Sequence, residues 1–162
     1  MNILVLCTGN SARSILLEHI LRARSGGRIQ SFSAGSKPTG RVHPQSVTLL
    51  ARQGFDTSGA RSKSWDEYAR PDAPPMDAVI TVCGSAAEEE CPIWPAGPHG
   101  APVRAHWGVE DPAAAEEADW EEAFQTAYDI LARRAEAFLA HDTHALKGAA
   151  LARALKDAGH IQ

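Results

Sequence analysis

A cysteine and an arginine stand six residues apart near the N-terminus, and only small or polar residues separate them. Cys7 follows the apolar run 2–6, and the intervening residues are Thr8, Gly9, Asn10, Ser11 and Ala12, with Ser14 directly after Arg13. A thiolate is a strong nucleophile, and a planar guanidinium can hold two oxygens of a tetrahedral anion at once. The pattern therefore predicts covalent chemistry at sulfur on a bound oxyanion.

The position of this motif favours that chemistry. Residues 2–6 are typical of a buried strand, and an apolar-periodic helix is predicted over 12–24. A loop between a strand and a helix directs backbone N–H groups and the positive end of the helix dipole at an anion. We expect Gly9 to permit close backbone approach, Ser14 to hydrogen-bond the sulfur, and the positive surroundings to lower the pKa of Cys7.

Two further cysteines, Cys83 and Cys91, bring the total to three. An odd number argues against a secreted disulfide framework, so the thiols are packing residues, metal ligands or reactive groups in a reducing compartment. Cys83 ends the apolar run 76–83, where a buried packing role would also suit it. Cys91 lies in an acidic segment rich in glycine and proline, where burial is less natural.

The elements that must position these thiols alternate between strands and helices. Strands are predicted at 2–6, 28–35, 76–83 and 102–107, and helices at 12–24, 44–53, 64–67, 120–139 and 144–158. A loop lined by a short helix is expected within 84–102. This order predicts an α/β fold, a single three-layer domain whose central, mostly parallel four-stranded sheet is flanked by helices.

Length and charge narrow the function further. The chain has 162 residues and a formal net charge of −4, so it offers no basic surface for nucleic acid or an anionic membrane. No apolar stretch approaches the roughly 18 residues of a membrane span, and no signal peptide is evident, so we expect a cytoplasmic protein. Residues 1–141 are expected to form the catalytic domain, and 142–162 a C-terminal helical extension that packs on it or mediates association.

Four separate stretches carry a resemblance to a known family. They are C-T-G-N-S-x-R-S (7–14), "SAGS" (33–36), "ITVCGSAAEEECP" (80–92) and "HWGVEDPA" (106–113). Together they resemble the arsenate reductases of the low-molecular-weight protein tyrosine phosphatase fold, which are coupled to thioredoxin-type reductants. The resemblance implies an arsenate- or phosphate-like oxyanion as ligand and an extra C-terminal helix on a phosphatase-like fold.

The resemblance also implies a role for each reactive residue. Arsenate would bind to the loop 8–14, Cys7 would attack arsenic, and Asp111 would protonate the departing oxygen. Cys83 would then attack the sulfur of the adduct, and Cys91 would take over the resulting disulfide by thiol exchange. Thioredoxin or another dithiol protein would reduce that disulfide. Asp111 precedes Pro112, so it also suits a helix N-cap, and both roles are compatible.

Two other functions remain open from the sequence. A phosphatase of the same fold needs only one cysteine and has tyrosines after its Asp-Pro pair, whereas three alanines follow Asp111-Pro112 here. A thiol-based metal-binding or arsenite-binding protein would use the cysteines and histidines, but their spacing lacks the usual zinc patterns and leaves Arg13 and Asp111 without a role.

No tightly bound cofactor is expected. In some related reductases a potassium ion lies near the loop, and the resemblance places its possible ligands at Asn10, Glu18, Ser33 and Asp66. Glu18 lies one helical turn after Ser14, so it can point back toward the loop. Asp66 belongs to the "SWDE" capping pattern at 64–67, which explains that residue equally well.

Overall fold

The chain folds around a four-stranded parallel sheet in the strand order β2-β1-β3-β4. A computed structural model describes residues 1–84, 93–97 and 99–162. The strands are β1 (Asn2–Cys7), β2 (Gln30–Gly35), β3 (Ala78–Thr81) and β4 (Val103–His106). Four α-helices fall within the described ranges: α1 (Arg13–Arg24), α2 (Pro44–Arg52), α3 (Trp120–Leu139) and α4 (Gly148–Gly159). The predicted α/β class, the parallel sheet and the C-terminal helix are confirmed.

Strand β1 lies at the centre of the sheet and is buried from Ile3 onward. Its alternation divides the interior into two cores. Ile3 and Val5 face the larger core, which the four α-helices cover, whereas Leu4 and Leu6 face a smaller core that includes Met76. Cys7 continues the first face, so the sequence places its sulfur on the side from which α1 begins.

Several predicted boundaries need correction. The predicted strand 76–83 forms ladder pairs only over Ala78–Thr81, because these residues match the length of β4 on their outer side. The strand predicted at 28–35 begins at Gln30. The last helix begins at Gly148 rather than residue 144, because residues 143–145 form a separate turn and Lys147 is extended. The 64–67 pattern forms a short 3₁₀ helix, Trp65–Tyr68, which Ser64 caps.

Helix α4 packs against β4 and α3 and buries Leu151 and Leu155 in the larger core. The indole N–H of Trp107 donates a hydrogen bond of 2.8 Å to the carbonyl of Leu155, which ties the end of the sheet to this helix. The division of the chain at residue 141 stays a prediction. No helix among the described residues has the length and apolar character needed to cross a membrane.

Candidate active site

Cys7 lies at the carboxyl end of the central strand, where α/β folds bind their ligands. Its side chain is only 4% exposed. The sulfur forms a hydrogen bond of 2.9 Å with the Ser14 hydroxyl, as predicted, and accepts one of 3.1 Å from the backbone N–H of Asn10. The candidate nucleophile is therefore held on two sides by its own loop.

The loop after Cys7 turns its carbonyls away from the sulfur. Four of them accept backbone hydrogen bonds from the 36–43 segment, namely Cys7 from Ser36, Thr8 from Lys37, Gly9 from Thr39 and Ser11 from His43. In a trans peptide the N–H points opposite to the preceding carbonyl, so the amides of Thr8, Gly9, Asn10 and Ala12 point away from the 36–43 segment. The Asn10 amide does reach the sulfur. Successive amides on one side of a loop are what an anion-binding arrangement requires, and the predicted anion site stays a prediction.

Helix α1 begins directly after this loop. Its N-cap residue, Ala12, offers no side-chain cap, and its first turn contains no acidic residue. The first N–H groups of the helix are therefore left for another partner, and the positive end of the dipole favours an anion. The oxyanion site predicted at this loop would use these groups.

Asn10 holds the loop in shape from below. It is fully buried and adopts a positive φ of 47°, which asparagine tolerates better than most residues. Its side-chain amide donates to the hydroxyls of Ser14 and Ser33, both at 2.9 Å, and its side-chain oxygen accepts the Lys63 backbone N–H at 2.9 Å. All hydrogen bonds of this buried side chain therefore serve to fix the loop.

Gly35 lets the neighbouring strand approach the loop closely. It pairs with Cys7 in the parallel ladder, and a Cβ atom at this position would lie 2.4 Å from the Thr8 carbonyl oxygen. Such a contact is too short for any side chain, so glycine is required here.

The predicted lowering of the Cys7 pKa is wrong in this geometry. Burial raises the pKa of the thiol above its ordinary value, although the hydrogen bonds from Ser14 and Asn10 and the charge of Arg13 act in the opposite direction. The sequence indicates the positive surroundings of the sulfur but not how deeply it is buried. The cost of removing the thiolate from water outweighs the stabilisation by those surroundings.

Arg13 links the loop to the segment after β4. Its guanidinium donates to the Val109 carbonyl at 3.0 Å and forms an ion pair of 3.1 Å with Asp111. The Asp111 side chain is 43% exposed and also accepts the Ala113 N–H, so it caps the 3₁₀ helix Pro112–Ala114. The structure thus places Asp111, the predicted general acid, beside Arg13, the residue predicted to bind the oxyanion. Asp111 is also the N-cap that the sequence suggests.

Cys83 also reaches this site. Its sulfur lies 3.6 Å from the Thr8 hydroxyl, its side chain is 5% exposed, and its negative form would raise the pKa of Cys7. Cys7 and Cys83 are both free thiols. Cys91 lies outside the described residues, as do residues 85–92 and 98 of the loop and short helix predicted within 84–102.

A cleft of about 600 Å³ opens beside Asp111. The residues that line it are Val109, Glu110, Asp111, Pro112, Ala114, Ala115, Asp119, Glu122, Ala123, Thr126, Ala127 and Ile130. None of these described residues is aromatic, and neither Cys7 nor Arg13 is among them.

Three of the four predicted cation ligands lie together beneath the loop. The Ser33 hydroxyl donates to the Glu18 carboxylate and accepts from Asn10, whereas Asp66 is exposed and lies within the 3₁₀ helix Trp65–Tyr68. Among the described residues, no group of three or more histidine, cysteine, aspartate or glutamate side chains could hold a metal ion.

Sequence reasoning missed two residues at the site. Lys63 is buried beside Glu18, with its ammonium 3.9 Å from the carboxylate, and burial lowers its pKa while Glu18 opposes that shift. His43 caps α2 and stacks edge-on against Trp120, and burial lowers its pKa against the opposing charge of Asp111. The proline after His43 suggests a helix start, but nothing in the sequence indicates that Lys63 is buried.

Comparisons with known proteins agree with this site. The sequence profile of the family described as low molecular weight phosphotyrosine protein phosphatase matches residues 2–148. An arsenate reductase from Bacillus licheniformis is 37% identical over 135 residues, which cover 82% of this chain and 91% of that protein. One from Bacillus subtilis is 37% identical over 136 residues, with the same shares. A solved structure of an arsenate reductase in the phosphate binding state, 26% identical, covers 86% of this chain and 96% of that chain with a TM-score of 0.67.

Proposed function

Because the chain belongs to the low molecular weight phosphotyrosine protein phosphatase family, we propose that within it this protein is an arsenate reductase. It converts arsenate to arsenite by way of a covalent adduct on Cys7. The relatives that are 37% identical over most of both chains are arsenate reductases, which supports this activity over phosphatase activity.

The observation that carries the proposal is the second thiol at the loop. Cys83 lies against Thr8, the residue that follows the nucleophile. A phosphatase needs one cysteine, because water resolves its phospho-enzyme. A reductase needs a second thiol to accept the bond to sulfur when arsenic departs with two electrons.

The first step binds the oxyanion and forms the adduct. Dihydrogen arsenate would lie against the backbone amides of the loop and the Arg13 guanidinium. The sulfur of Cys7 bonds to arsenic, an arsenic–oxygen bond breaks, and the thiol proton leaves with that oxygen as water. Asp111, paired with Arg13, is the carboxyl group placed to pass that proton.

The second step reduces arsenic. The Cys83 sulfur attacks the Cys7 sulfur, the sulfur–arsenic bond breaks, and its electron pair stays on arsenic. Arsenic falls from oxidation state +5 to +3, arsenite leaves with the proton of Cys83, and two thiols become the Cys7–Cys83 disulfide.

Cys91 completes the cycle in this proposal. Its sulfur attacks Cys83, which frees Cys7 and moves the disulfide to Cys83–Cys91. A dithiol protein, thioredoxin or one of the same class, then returns two electrons to that disulfide. A cycle that restores free thiols suits the reducing cytoplasm, the compartment that we propose for this chain.

Steady-state assays separate reductase from phosphatase activity. Purified protein is given arsenate together with thioredoxin, thioredoxin reductase and NADPH, in parallel with glutaredoxin and glutathione, and arsenite is quantified. Hydrolysis of para-nitrophenyl phosphate is measured beside it. We expect arsenite formation with one of the two reductants and loss of all activity in Cys7→Ser.

Cys83→Ser and Cys91→Ser should each abolish repeated arsenate reduction while Cys7 still reacts with the oxyanion. Thr81→Ser is the matched control, because Thr81 ends β3, two residues before Cys83, and serine keeps the hydroxyl that bonds His106. This variant should retain activity. Phosphate ester hydrolysis without arsenite formation under either reductant would contradict the proposal and favour the phosphatase.

A further inference from the structure

A second polar cluster lies beneath the catalytic loop. The Glu18 carboxylate accepts hydrogen bonds from the Ser33 hydroxyl and from the Arg22 guanidinium, the latter at 2.7 Å. The Lys63 ammonium lies 3.9 Å from Glu18 and donates to Ser33 at 3.5 Å and to the Arg61 carbonyl at 3.1 Å. The side chains of Lys63 and Glu18 are only 6% and 8% exposed, so this is a buried ion pair.

These residues do not fit an added potassium ion. Three of the ligands that the family resemblance suggests, Asn10, Glu18 and Ser33, do meet here, but the Lys63 ammonium lies among them. The Glu18 carboxylate already faces two positive charges, those of Lys63 and Arg22. A third cation would have to displace an ammonium tethered to the chain and would lack the exposed Asp66 as a partner.

We propose that the Lys63 ammonium is a built-in cation that replaces a bound monovalent ion, so that the catalytic loop of this chain holds its shape without potassium. The ammonium contacts two of the four suggested ligands of such an ion, the Ser33 hydroxyl and the Glu18 carboxylate. Its contacts do not depend on ion concentration, because the lysine is part of the chain. Lys63 acts as a positioning residue, since none of its contacts is with the reacting sulfur.

Lys63 is connected to the nucleophile by two routes. Its backbone N–H donates to the side-chain oxygen of Asn10, whose own N–H donates to the Cys7 sulfur. Its ammonium holds Ser33, which accepts the side-chain amide of Asn10. Loss of the ammonium would remove one of the two positive charges that face Glu18 and leave that of Arg22. It would also open a space beside Ser33 and Glu18 that a dehydrated ion could enter.

Thermal unfolding in matched salts tests the proposal without any oxyanion. The wild-type protein and Lys63→Ala are melted in KCl, NaCl and LiCl at equal ionic strength. We expect the wild-type Tm to be the same in KCl and NaCl. In LiCl, Lys63→Ala should have a Tm about 5–15 °C below that of the wild type, because the substitution breaks a buried ion pair. KCl should raise the Tm of Lys63→Ala by several degrees more than NaCl does.

The alkylation rate of Cys7 by iodoacetamide is the second measurement. In Lys63→Ala it should change with KCl and return toward the wild-type value, whereas in the wild type it should not respond to the cation. Lys63→Met fills the space without charge, so its lowered Tm should not be recovered by potassium. Lys156→Ala removes an exposed lysine of α4 and should behave as the wild type in every salt.

Two results would overturn the proposal. One is a wild-type Tm or Cys7 alkylation rate that responds to potassium more than to sodium. The other is a Lys63→Ala variant with the same Tm in all three salts. If Lys63→Ala does not fold, the wild-type and Lys63→Met measurements still decide. None of these readouts requires arsenate, so the inference can fail or succeed independently of the reductase proposal.

Discussion

The loop after β1 and the segment after β4 both reach the candidate oxyanion site, but the structure holds them in different ways. The β1 loop is largely buried, and Asn10, Ser14 and Gly35 fix it through buried contacts. The β4 segment carries Asp111 on an exposed turn, and Arg13 joins it to the loop through the ion pair with Asp111 and a hydrogen bond to the Val109 carbonyl.

This difference separates stability from chemistry. A change in the β1 loop should affect both, because its contacts are also part of the core. A change at Asp111 should affect the reaction and leave folding nearly untouched, since a partly exposed ion pair contributes only about 0–1 kcal/mol. Three substitutions test this contrast.

Asp111→Asn should have the largest effect on the reaction. Loss of a general acid typically lowers kcat by about 10²–10⁴-fold, and we expect a fall in this range for arsenate reduction. The Tm should fall by only a few degrees. Glu110→Gln, an exposed neighbour that does not contact Arg13 among the described residues, is the control. A large loss of Tm with kcat preserved would reverse the roles that we assign to the two regions.

Gly35→Ala should damage the β1 loop. The new Cβ would lie 2.4 Å from the Thr8 carbonyl, and overpacking of this kind costs about 1–3 kcal/mol in the free energy of unfolding. We also expect lower arsenate reduction, because the loop must shift. Gly59→Ala meets no atom within 4 Å and should unfold as the wild type does in a urea titration. Equal stability of the two variants would show that the loop is not fixed from β2.

Ser14→Ala should have the smallest effect, on the ionisation of Cys7. Burial raises the pKa of Cys7. The pH at which its alkylation by iodoacetamide reaches half the maximal rate should therefore be higher than the corresponding pH for a free thiol. The Ser14 hydrogen bond lowers the pKa of Cys7, so its removal should move that midpoint to still higher pH.

Ser46→Ala is the control for this titration, since Ser46 bonds the outer side of the loop through the Ser11 carbonyl and not the sulfur. Its midpoint should match that of the wild type. A wild-type midpoint below that of a free thiol would restore the lowered pKa that the sequence predicts.

Local patterns made most of the fold predictable. The helix Trp120–Leu139 was predicted at both of its ends, because its apolar residues recur with helical spacing over five turns. Cys7, Arg13 and Ser14 could be assigned to one site because they stand at the junction between a predicted strand and a predicted helix. Strand β3 was predicted too long, since the apolar run says nothing about how many partners the neighbouring strands provide.

Long-range contacts set the limit for the site. Lys63 contacts Glu18 and Ser33, which are distant from it in the sequence. A single lysine before a capping pattern gives no sign that it will be buried. The direction of the Cys7 pKa shift depends on how deeply the loop packs, which the motif does not encode. The proximity of Cys83 to Thr8 follows only once β3 is known to lie beside β1.

A single-turnover experiment on Cys91→Ser tests the central claim, that Cys83 accepts the bond from Cys7 as arsenic is reduced. The reduced variant is mixed with excess arsenate without any external reductant, arsenite is quantified, and the disulfide is located by mass spectrometry after thiol blocking. We expect close to one arsenite per protein and a Cys7–Cys83 disulfide. Release of no arsenite, with Cys83 still free to react with the blocking reagent, would contradict it.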